Sequence, residues 1–351
     1  MYNNGLLDMK TIQGRFLVRI GVDIDVPLIG SIAFGLIDRG TNVIQVRPVS
    51  FCNLCCIMCS TDAGPCSKWR QAEYWIDLDL IVEWFKGIVK FKGSKHIEAH
   101  IDTVGEPTLY SRLIDLIQEL KSISGVEVIS VQTHGQNLSA DRVEELEDAG
   151  LDRINLSVDA LNPELAHYIQ GAKWYNVEKV ISIAEYLVQN TKIDLHIAPI
   201  LLKGINDEEI PKIIKWALKI GAGKRWPPLG IQKYVPHKHG RKPKNVKVMN
   251  WSEFWAYLKN LERRFNIKLI PSMEDFGIKR MNILPTPFKV REKVKVKVVA
   301  PGWLKSEKLA VDMKCLRTIT IVRADHIPLG SKVNVRIIRN KHNIYIAVPL
   351  V

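Results

Sequence analysis

The sequence lacks any long apolar run. Its longest uncharged apolar stretch, Val26 to Ile37, has 12 residues, whereas a transmembrane helix needs about 20. Met1 to Gly5 shows neither the basic region nor the apolar stretch of a signal peptide. We therefore expect a cytoplasmic protein with no membrane partner.

Cysteine is absent from most of the chain. There are six cysteines and none precedes Cys52; five lie between Cys52 and Cys66, and the sixth is Cys315. Crowded cysteines in an intracellular chain indicate metal or redox chemistry rather than a disulfide framework.

Acidic residues are scarce in the last part of the chain. The whole sequence has 50 basic and 37 acidic residues, a net charge of +13. Residues 285–351 hold 14 of the basic and four of the acidic residues, which is +10, and the first 284 residues carry only +3. A nearly neutral body with a basic tail predicts a polyanionic partner such as nucleic acid, and a merely solvated basic surface is the alternative.

Strand and helix patterns alternate through the middle of the chain. The predicted strands are 43–48, 96–102, 126–132, 153–158, 193–199 and 229–234. The predicted helices are 79–92, 109–121, 140–149, 176–189, 207–220 and 251–265. This order predicts an α/β fold with a parallel sheet forming an open or complete barrel, whose reactive groups lie at the carboxyl ends of the strands.

Both ends of the chain are predicted to be rich in strands. Residues 1–42 form an N-terminal extension with strands at 16–20 and 31–34, and residues 43–284 form the barrel with a helical extension. Residues 285–351 form a small all-β barrel, because short alternating segments recur there. These segments are 293–299, 318–322, 333–338 and 343–348.

Three cysteines have the spacing C-x3-C-x2-C directly after the first predicted barrel strand. They are Cys52, Cys56 and Cys59. A four-iron four-sulfur cluster normally takes four cysteines, so three leave one iron open to a ligand. This motif resembles that of the radical S-adenosylmethionine (SAM) superfamily. The alternative is a zinc site made of Cys52, Cys55 or Cys56, Cys59 and Cys66.

The segments after the next strands extend the resemblance. Val104-Gly105-Glu106-Pro107 resembles the family's Gly-Gly-Glu-Pro segment, which holds the amino group of SAM, and Thr133-His134-Gly135 resembles its Thr-Asn-Gly. The resemblance implies a partial (β/α)6 barrel that binds a [4Fe-4S] cluster through Cys52, Cys56 and Cys59. The SAM contacts that it implies are Gly105, Glu106, Pro107, Thr133, Asn155, Ser157, Asp159, Met58 and Gln232.

The chemistry implied by the resemblance is reductive cleavage of SAM to a 5′-deoxyadenosyl radical, with the electron coming from a reductant protein. Cys55 is then a bystander, Cys66 a loop residue, and Cys315 packs within the tail barrel. Radical methylthiotransferases carry a second cluster on three upstream cysteines. Since no cysteine precedes Cys52, methylthiolation is disfavoured.

The tail resembles a TRAM domain, an OB-like RNA-binding β-barrel, as in archaeal radical SAM proteins. It has few aromatic residues for base stacking, which favours contacts with phosphate. The predicted RNA contacts are Lys293, Lys295, Lys297 and Arg336 of the tail, with Lys238 and Arg241 of a basic loop at 236–249. We predict an enzyme that modifies tRNA or rRNA. The alternatives are a radical SAM enzyme acting on a small molecule, peptide or lipid, with the tail as a cap, and a non-catalytic, metal-stabilised RNA-binding protein.

Overall fold

The computed structural model describes residues 11–350. Its strands are β1 (Thr11–Ile12), β2 (Arg15–Ile20), β3 (Gly35–Asp38), β4 (Val43–Arg47), β5 (Ala72–Ile76), β6 (Ile97–Ile101), β7 (Val126–Thr133), β8 (Arg153–Leu156), β9 (Asp194–Ile197), β10 (Ile200–Leu201), β11 (Gln232–Lys233), β12 (Lys293–Pro301), β13 (Glu307–Asp312), β14 (Thr318–Val322), β15 (Lys332–Arg339) and β16 (Ile346–Pro349). Its α-helices are α1 (Leu78–Phe91), α2 (Leu113–Ser122), α3 (Ala140–Asp148), α4 (Pro163–Gln170), α5 (Val177–Asn190), α6 (Glu209–Ile220) and α7 (Trp251–Phe265).

The central sheet has the strand order β3-β4-β6-β7-β8-β9. Strands β4 to β9 in this order are parallel neighbours, and β3 pairs antiparallel with β4 at one edge. Helices α1, α2, α3 and α5 bury apolar faces between successive strands. The α/β prediction is therefore confirmed, and the carboxyl ends of the parallel strands meet at one edge, where the site lies.

The strand predicted at 229–234 is present only in part. Only the two residues of β11 are strand there; they pair with β10, and a single bridge joins Leu229 to Ile197. The Gly230 N–H donates to the Ile197 carbonyl (2.9 Å) and the Gln232 N–H donates to the Pro199 carbonyl (2.7 Å). Pro199 has no N–H to donate in return, so the ladder has a gap there.

The N-terminal segment is joined to both parts of the molecule. Strand β2 pairs with β5, and β3 with β4; residues 31–34, predicted as a strand, precede β3. The Thr318 hydroxyl donates to the carbonyl of Pro27 (2.6 Å), and the Tyr345 N–H donates to that of Gly30 (2.9 Å). Gly30 has φ 139°, and a Cβ there would lie 1.9 Å from the Thr318 carbonyl oxygen, so only glycine fits this contact.

The predicted helices are present, with small shifts at their ends, and α4 is an addition. Ser139 caps α3 as predicted, with its side chain accepting from the Arg142 N–H. Helix α4 begins after Asn162, which caps it, and ends at Gly171 in the left-handed conformation. Asn162-Pro163 is a start signal that the sequence prediction passed over. No helix within residues 11–350 has the length and apolar character to cross a membrane.

The tail forms a closed barrel with the order β12-β13-β14-β16-β15. This confirms a small β-barrel, and β13 is the strand that the sequence prediction missed. The tail has its own core, but Leu309, Val311 and Trp303 pack in the core of the body. The Tyr74 hydroxyl also donates to the carbonyl of Pro301 (3.0 Å). The tail is therefore packed against the body as part of its wall.

Candidate functional site

A cavity of about 440 Å³ opens at the carboxyl edge of the central sheet. Three thiols line it, and we call them the cavity thiols: Cys52, Cys56 and Cys59. Cys52 and Cys56 are buried and Cys59 is half-buried. The volume of the cavity is in the usual range for a small-ligand site, about 300–1,000 Å³.

The cysteine loop is held in place by close backbone packing. The Glu106 N–H donates to the carbonyl of Phe51 (2.9 Å). A Cβ on Gly105 would lie 2.1 Å from that same carbonyl oxygen, which is why a glycine stands there. The preceding Val104 carbonyl accepts from Thr61 Oγ1 (2.8 Å) and from the buried guanidinium of Arg70. The departure from Gly-Gly at Val104 is thus accommodated, because backbone atoms make these contacts.

Cys55 and Cys66 form a disulfide bond, with their Cα atoms 5.9 Å apart. The structure agrees with Cys66 as a loop residue, since it lies in a turn, and neither Cys55 nor Cys66 lines the cavity. Their bond to each other was not predicted. The expected packing of Cys315 inside the tail barrel is wrong, because Cys315 is exposed in the turn after β13. Because Cys55 and Cys66 are bonded to each other, they are not free to serve as zinc ligands.

The environments of two cavity thiols differ. Burial alone would raise the pKa of Cys59, but the Arg241 charge and hydrogen bonds from Thr61 and the Ala63 N–H outweigh it and lower that pKa. Burial raises the pKa of Cys52 to about 12. A bound metal would therefore have to stabilise the Cys52 thiolate, as metals do for their thiol ligands.

The donor set fits a cluster better than a single ion. Within residues 11–350, no group of three or more His, Cys, Asp or Glu side chains is arranged to hold one metal ion. The cavity thiols instead surround a shared open space. Three thiolates around such a space suit a [4Fe-4S] cluster with one iron open to another ligand.

Glu106 lies behind the cavity wall with its carboxylate fully used. It accepts from Thr108 N–H (3.1 Å) and Oγ1 (2.8 Å), from Thr133 Oγ1 (2.7 Å), and from His134 N–H (3.0 Å) and Nδ1 (3.2 Å). Burial opposes its charge, but the bonds from His134 and Thr133 prevail and lower its pKa. The structure thus gives this carboxylate protein partners, whereas the resemblance assigns it to the SAM amino group.

His134 joins Glu106 to the cysteine loop. Its Nδ1 faces Glu106 and its Nε2 lies 3.6 Å from Cys56 Sγ. Burial would lower its pKa, but the proximity of Cys56 and Glu106 raises it well above the usual value. The sequence prediction noted His134 only as a replacement for Asn; its position between Glu106 and Cys56 appears only in the structure.

The other predicted SAM contacts divide into two groups. Those lining the cavity are Met58, Gly105, Thr133, Ser157, Asp159 and Gln232. Asn155 and Pro107 do not line it: Asn155 Oδ1 accepts from Arg153 Nε (2.9 Å), and Pro107 begins a 3-10 turn. Asp159 is bound by Gln170 Nε2 (2.9 Å), and Gln170 Oε1 accepts from the Cys56 thiol (2.8 Å).

Arg241, a predicted RNA contact, binds the cysteine loop. Its Nε donates to the Cys56 carbonyl (2.6 Å), and its guanidinium pairs with Asp62 (3.0 Å). Two of its donors, Nε and Nη1, are thus engaged within the fold, and as an RNA contact Arg241 stays a prediction. Lys238 is exposed, and as an RNA contact it stays a prediction.

The predicted RNA contacts of the tail lie on adjacent strands. In the β12–β15 ladder, Lys293 faces Arg336, Lys295 faces Asn334, and Lys297 faces Lys332. We call these six residues the basic face. Lys293, Lys295, Arg336 and Lys332 are exposed, whereas the alternate residues of β12 point into the tail core.

The central region of the chain matches a known protein family. A family model described as the radical SAM superfamily matches residues 46–217. The uncharacterized protein MJ0103 of Methanocaldococcus jannaschii is 44% identical over 342 residues, covering 92% of this chain and 78% of that protein. A GTP 3′,8-cyclase of Listeria monocytogenes is 29% identical over 179 residues, covering 51% of each chain. The chain thus spans about half the length of the cyclase. The crystal structure of Streptococcus suis SuiB has a TM-score of 0.49 at 16% identity, covering 65% of this chain and 47% of SuiB.

Proposed function

We propose that this chain, whose residues 46–217 form a radical SAM superfamily domain, modifies an RNA in the cytoplasm, with tRNA or rRNA as its substrate. Radical SAM enzymes use a [4Fe-4S] cluster, SAM and a reductant. When bound, these cofactors supply a 5′-deoxyadenosyl radical that removes hydrogen from a substrate. The TRAM-like nature of the tail, resembling archaeal proteins, is part of the proposal.

This chain's own residues would hold the cofactors and keep water out. The cavity thiols would bind the cluster, and Thr133, Ser157 and Asp159 would contact SAM from neighbouring strand ends. Glu106 and His134 would fix the Cys56 side of the loop through the hydrogen bonds described above. The buried Arg70 guanidinium, bonded to the carbonyls of Ser50 and Val104, would keep the cysteine loop and the β6 end in register.

The basic face carries the RNA part of the proposal. One of its cross-strand pairs, Lys293 with Arg336, sets two positive charges directly opposite each other. Such pairs destabilise a sheet in isolation. A row of phosphates would relieve that repulsion, and each contact would release counterions.

The experiment measures RNA binding by the full-length protein as a function of salt. The test variant is Lys293→Gln with Lys295→Gln, and the matched control is Lys215→Gln with Lys219→Gln, which removes two exposed charges from α6. Loss of two phosphate contacts should reduce the slope of log K against log salt by about 1.4 to 1.8. The control should keep the original slope.

An unchanged slope in the tail variant would refute RNA binding by the basic face and favour a small-molecule, peptide or lipid substrate. Deletion of residues 285–351 is the wrong test. It would expose the body core that Leu309, Val311 and Trp303 cover, so lost binding could not be distinguished from misfolding.

A further inference from the structure

The wall of the cavity formed by β6 carries two polar side chains that the cluster and SAM contacts leave unused. His100 is on β6, and Asp102 follows its end by one residue. Residues two apart on a strand face the same side, and both line the cavity. We propose that His100 and Asp102 form a substrate subsite that binds the Watson–Crick edge of a guanine. This inference rests on the proposed function, since it names the base that the enzyme would take up.

A chain of hydrogen bonds fixes which nitrogen of His100 carries the hydrogen. Arg153 donates to Glu98 Oε1 (2.5 Å), and the Ser130 hydroxyl donates to the same oxygen (2.7 Å). The single Ser130 hydrogen is then in use, so its oxygen accepts from His100 Nδ1 at 2.8 Å. Burial lowers the pKa of His100 and keeps the ring neutral.

The second nitrogen of His100 is therefore an acceptor. With the hydrogen on Nδ1, Nε2 carries a lone pair. No described residue between 11 and 350 forms a hydrogen bond with this nitrogen.

Asp102 offers a second acceptor next to the first. Its Oδ2 accepts from Gln45 Nε2 (3.0 Å) and lies 3.6 Å from the Arg47 guanidinium, which orients the carboxylate. Its Oδ1 has no hydrogen bond from the described part of the chain. The two side chains lie on the same face of the strand end and both line the cavity, and each offers one acceptor.

Two neighbouring acceptors select a partner with two neighbouring donors. Guanine presents N1–H beside its N2 amino group, whereas adenine, cytosine and uracil have no two adjacent donors on the same edge. His100 and Asp102 are half-buried, so a ligand that leaves one acceptor unpaired should bind more weakly than one that pairs both.

The rim of the cavity argues for a nucleotide over a cationic side chain. Lys233 and His237 line the cavity, exposed Lys238 follows His237, and the Arg241 charge beside them is paired with Asp62. This basic rim repels a lysine or arginine of a peptide and attracts phosphate. An acceptor wall behind a basic rim matches a guanine nucleotide, with its base inside and its phosphate outside.

The test is equilibrium binding of mononucleotides to the full-length protein reconstituted anaerobically with iron and sulfide, in the presence of SAM. The probes are GMP, IMP, which lacks the N2 amino group, and AMP, with arginine amide as a guanidinium probe. We expect GMP to bind at least tenfold more tightly than IMP or AMP. The variants Asp102→Asn and His100→Ala should each lose this preference, whereas the exposed-site control Asp141→Asn on α3 should keep it.

Three results would overturn the subsite. These are equal binding of GMP, IMP and AMP by the unaltered protein, an unchanged GMP preference in Asp102→Asn, and binding of arginine amide in place of GMP. Circular dichroism and the cluster absorbance verify that each variant is folded and loaded.

A guanine-containing oligoribonucleotide, measured with the Lys293→Gln and Lys295→Gln variant, separates this inference from the proposed function. If GMP binds selectively but the basic face contributes nothing to oligoribonucleotide binding, the subsite stands for a free nucleotide and the RNA proposal fails. If the basic face binds RNA while the mononucleotides bind equally, the subsite fails and the RNA proposal stands.

Discussion

Replacing Glu106 by alanine should unfold this protein more readily, rather than only weaken SAM binding. The buried carboxylate accepts five hydrogen bonds, from Thr108, Thr133 and His134. Removing one partner of a buried charged network costs about 3–5 kcal/mol, because the remaining donors lose their acceptor without gaining water. We expect a loss of about 4 kcal/mol of unfolding free energy, which is large for one substitution.

Urea unfolding of the full-length protein measures this loss. With a slope of about 3 kcal/mol per molar, the midpoint should fall by about 1.3 M. Glu106→Gln keeps one acceptor oxygen, so its urea midpoint should fall by less. Glu127→Ala is the control: this glutamate also bonds a histidine, His96, but is about half exposed, so its loss should cost little. If Glu106→Ala unfolds at the original urea concentration while SAM binding disappears, the carboxylate is a SAM ligand. Its hydrogen bonds to Thr108, Thr133 and His134 would then not be what stabilises the fold.

Two further predictions concern the cysteines and the tail. Alanine at any one cavity thiol should abolish the brown, oxygen-sensitive chromophore of the reconstituted protein, whereas Cys55→Ala and Cys66→Ala should keep it; a reversed result for Cys55 and Cys56 would move the cluster register. Burial raises the pKa of Glu307 to about 7 from 4.5, so the folded state favours the protonated acid and loses stability as pH rises from about 4.5 to 7, by about 3 kcal/mol in all. Glu307→Gln should remove that loss. Its urea midpoint should be higher than that of the unaltered protein at pH 8 and similar to it at pH 4.5. The same difference in midpoint at both pH values would contradict the prediction.

Local patterns were enough to predict most of the fold. The helix that begins at Leu78 and the strand at Ile97–Ile101 have clear apolar periods and lie where they were predicted. The strand at 229–234 has enough apolar residues, but its neighbour Pro199 has no N–H to donate, which leaves a gap in the ladder. Apolar pattern alone does not reveal whether the backbone can complete a ladder.

The site was harder to predict, because its contacts join distant residues. The C-x3-C-x2-C spacing is local, and the structure gathers those thiols around one cavity. Arg241 looked like part of a basic loop, yet it binds Asp62, 179 residues earlier in the chain. His100 and Asp102 carry a local signal that was overlooked, since their two-residue spacing just before Gly105 places both on the cavity side of β6.

The contacts of Pro27 and Gly30 with the tail have a consequence for synthesis on the ribosome. The segment from Val26 to Ile29 is buried, and its partner Thr318 follows Pro27 by 291 residues. At about 5–20 residues per second, this apolar segment waits about 15 to 60 s for its partner. Until then it is available to chaperones and to other nascent chains, because nothing made earlier in the chain supplies those hydrogen bonds. Packing of the N-terminal segment is therefore complete only after the last strands of the tail have been synthesised.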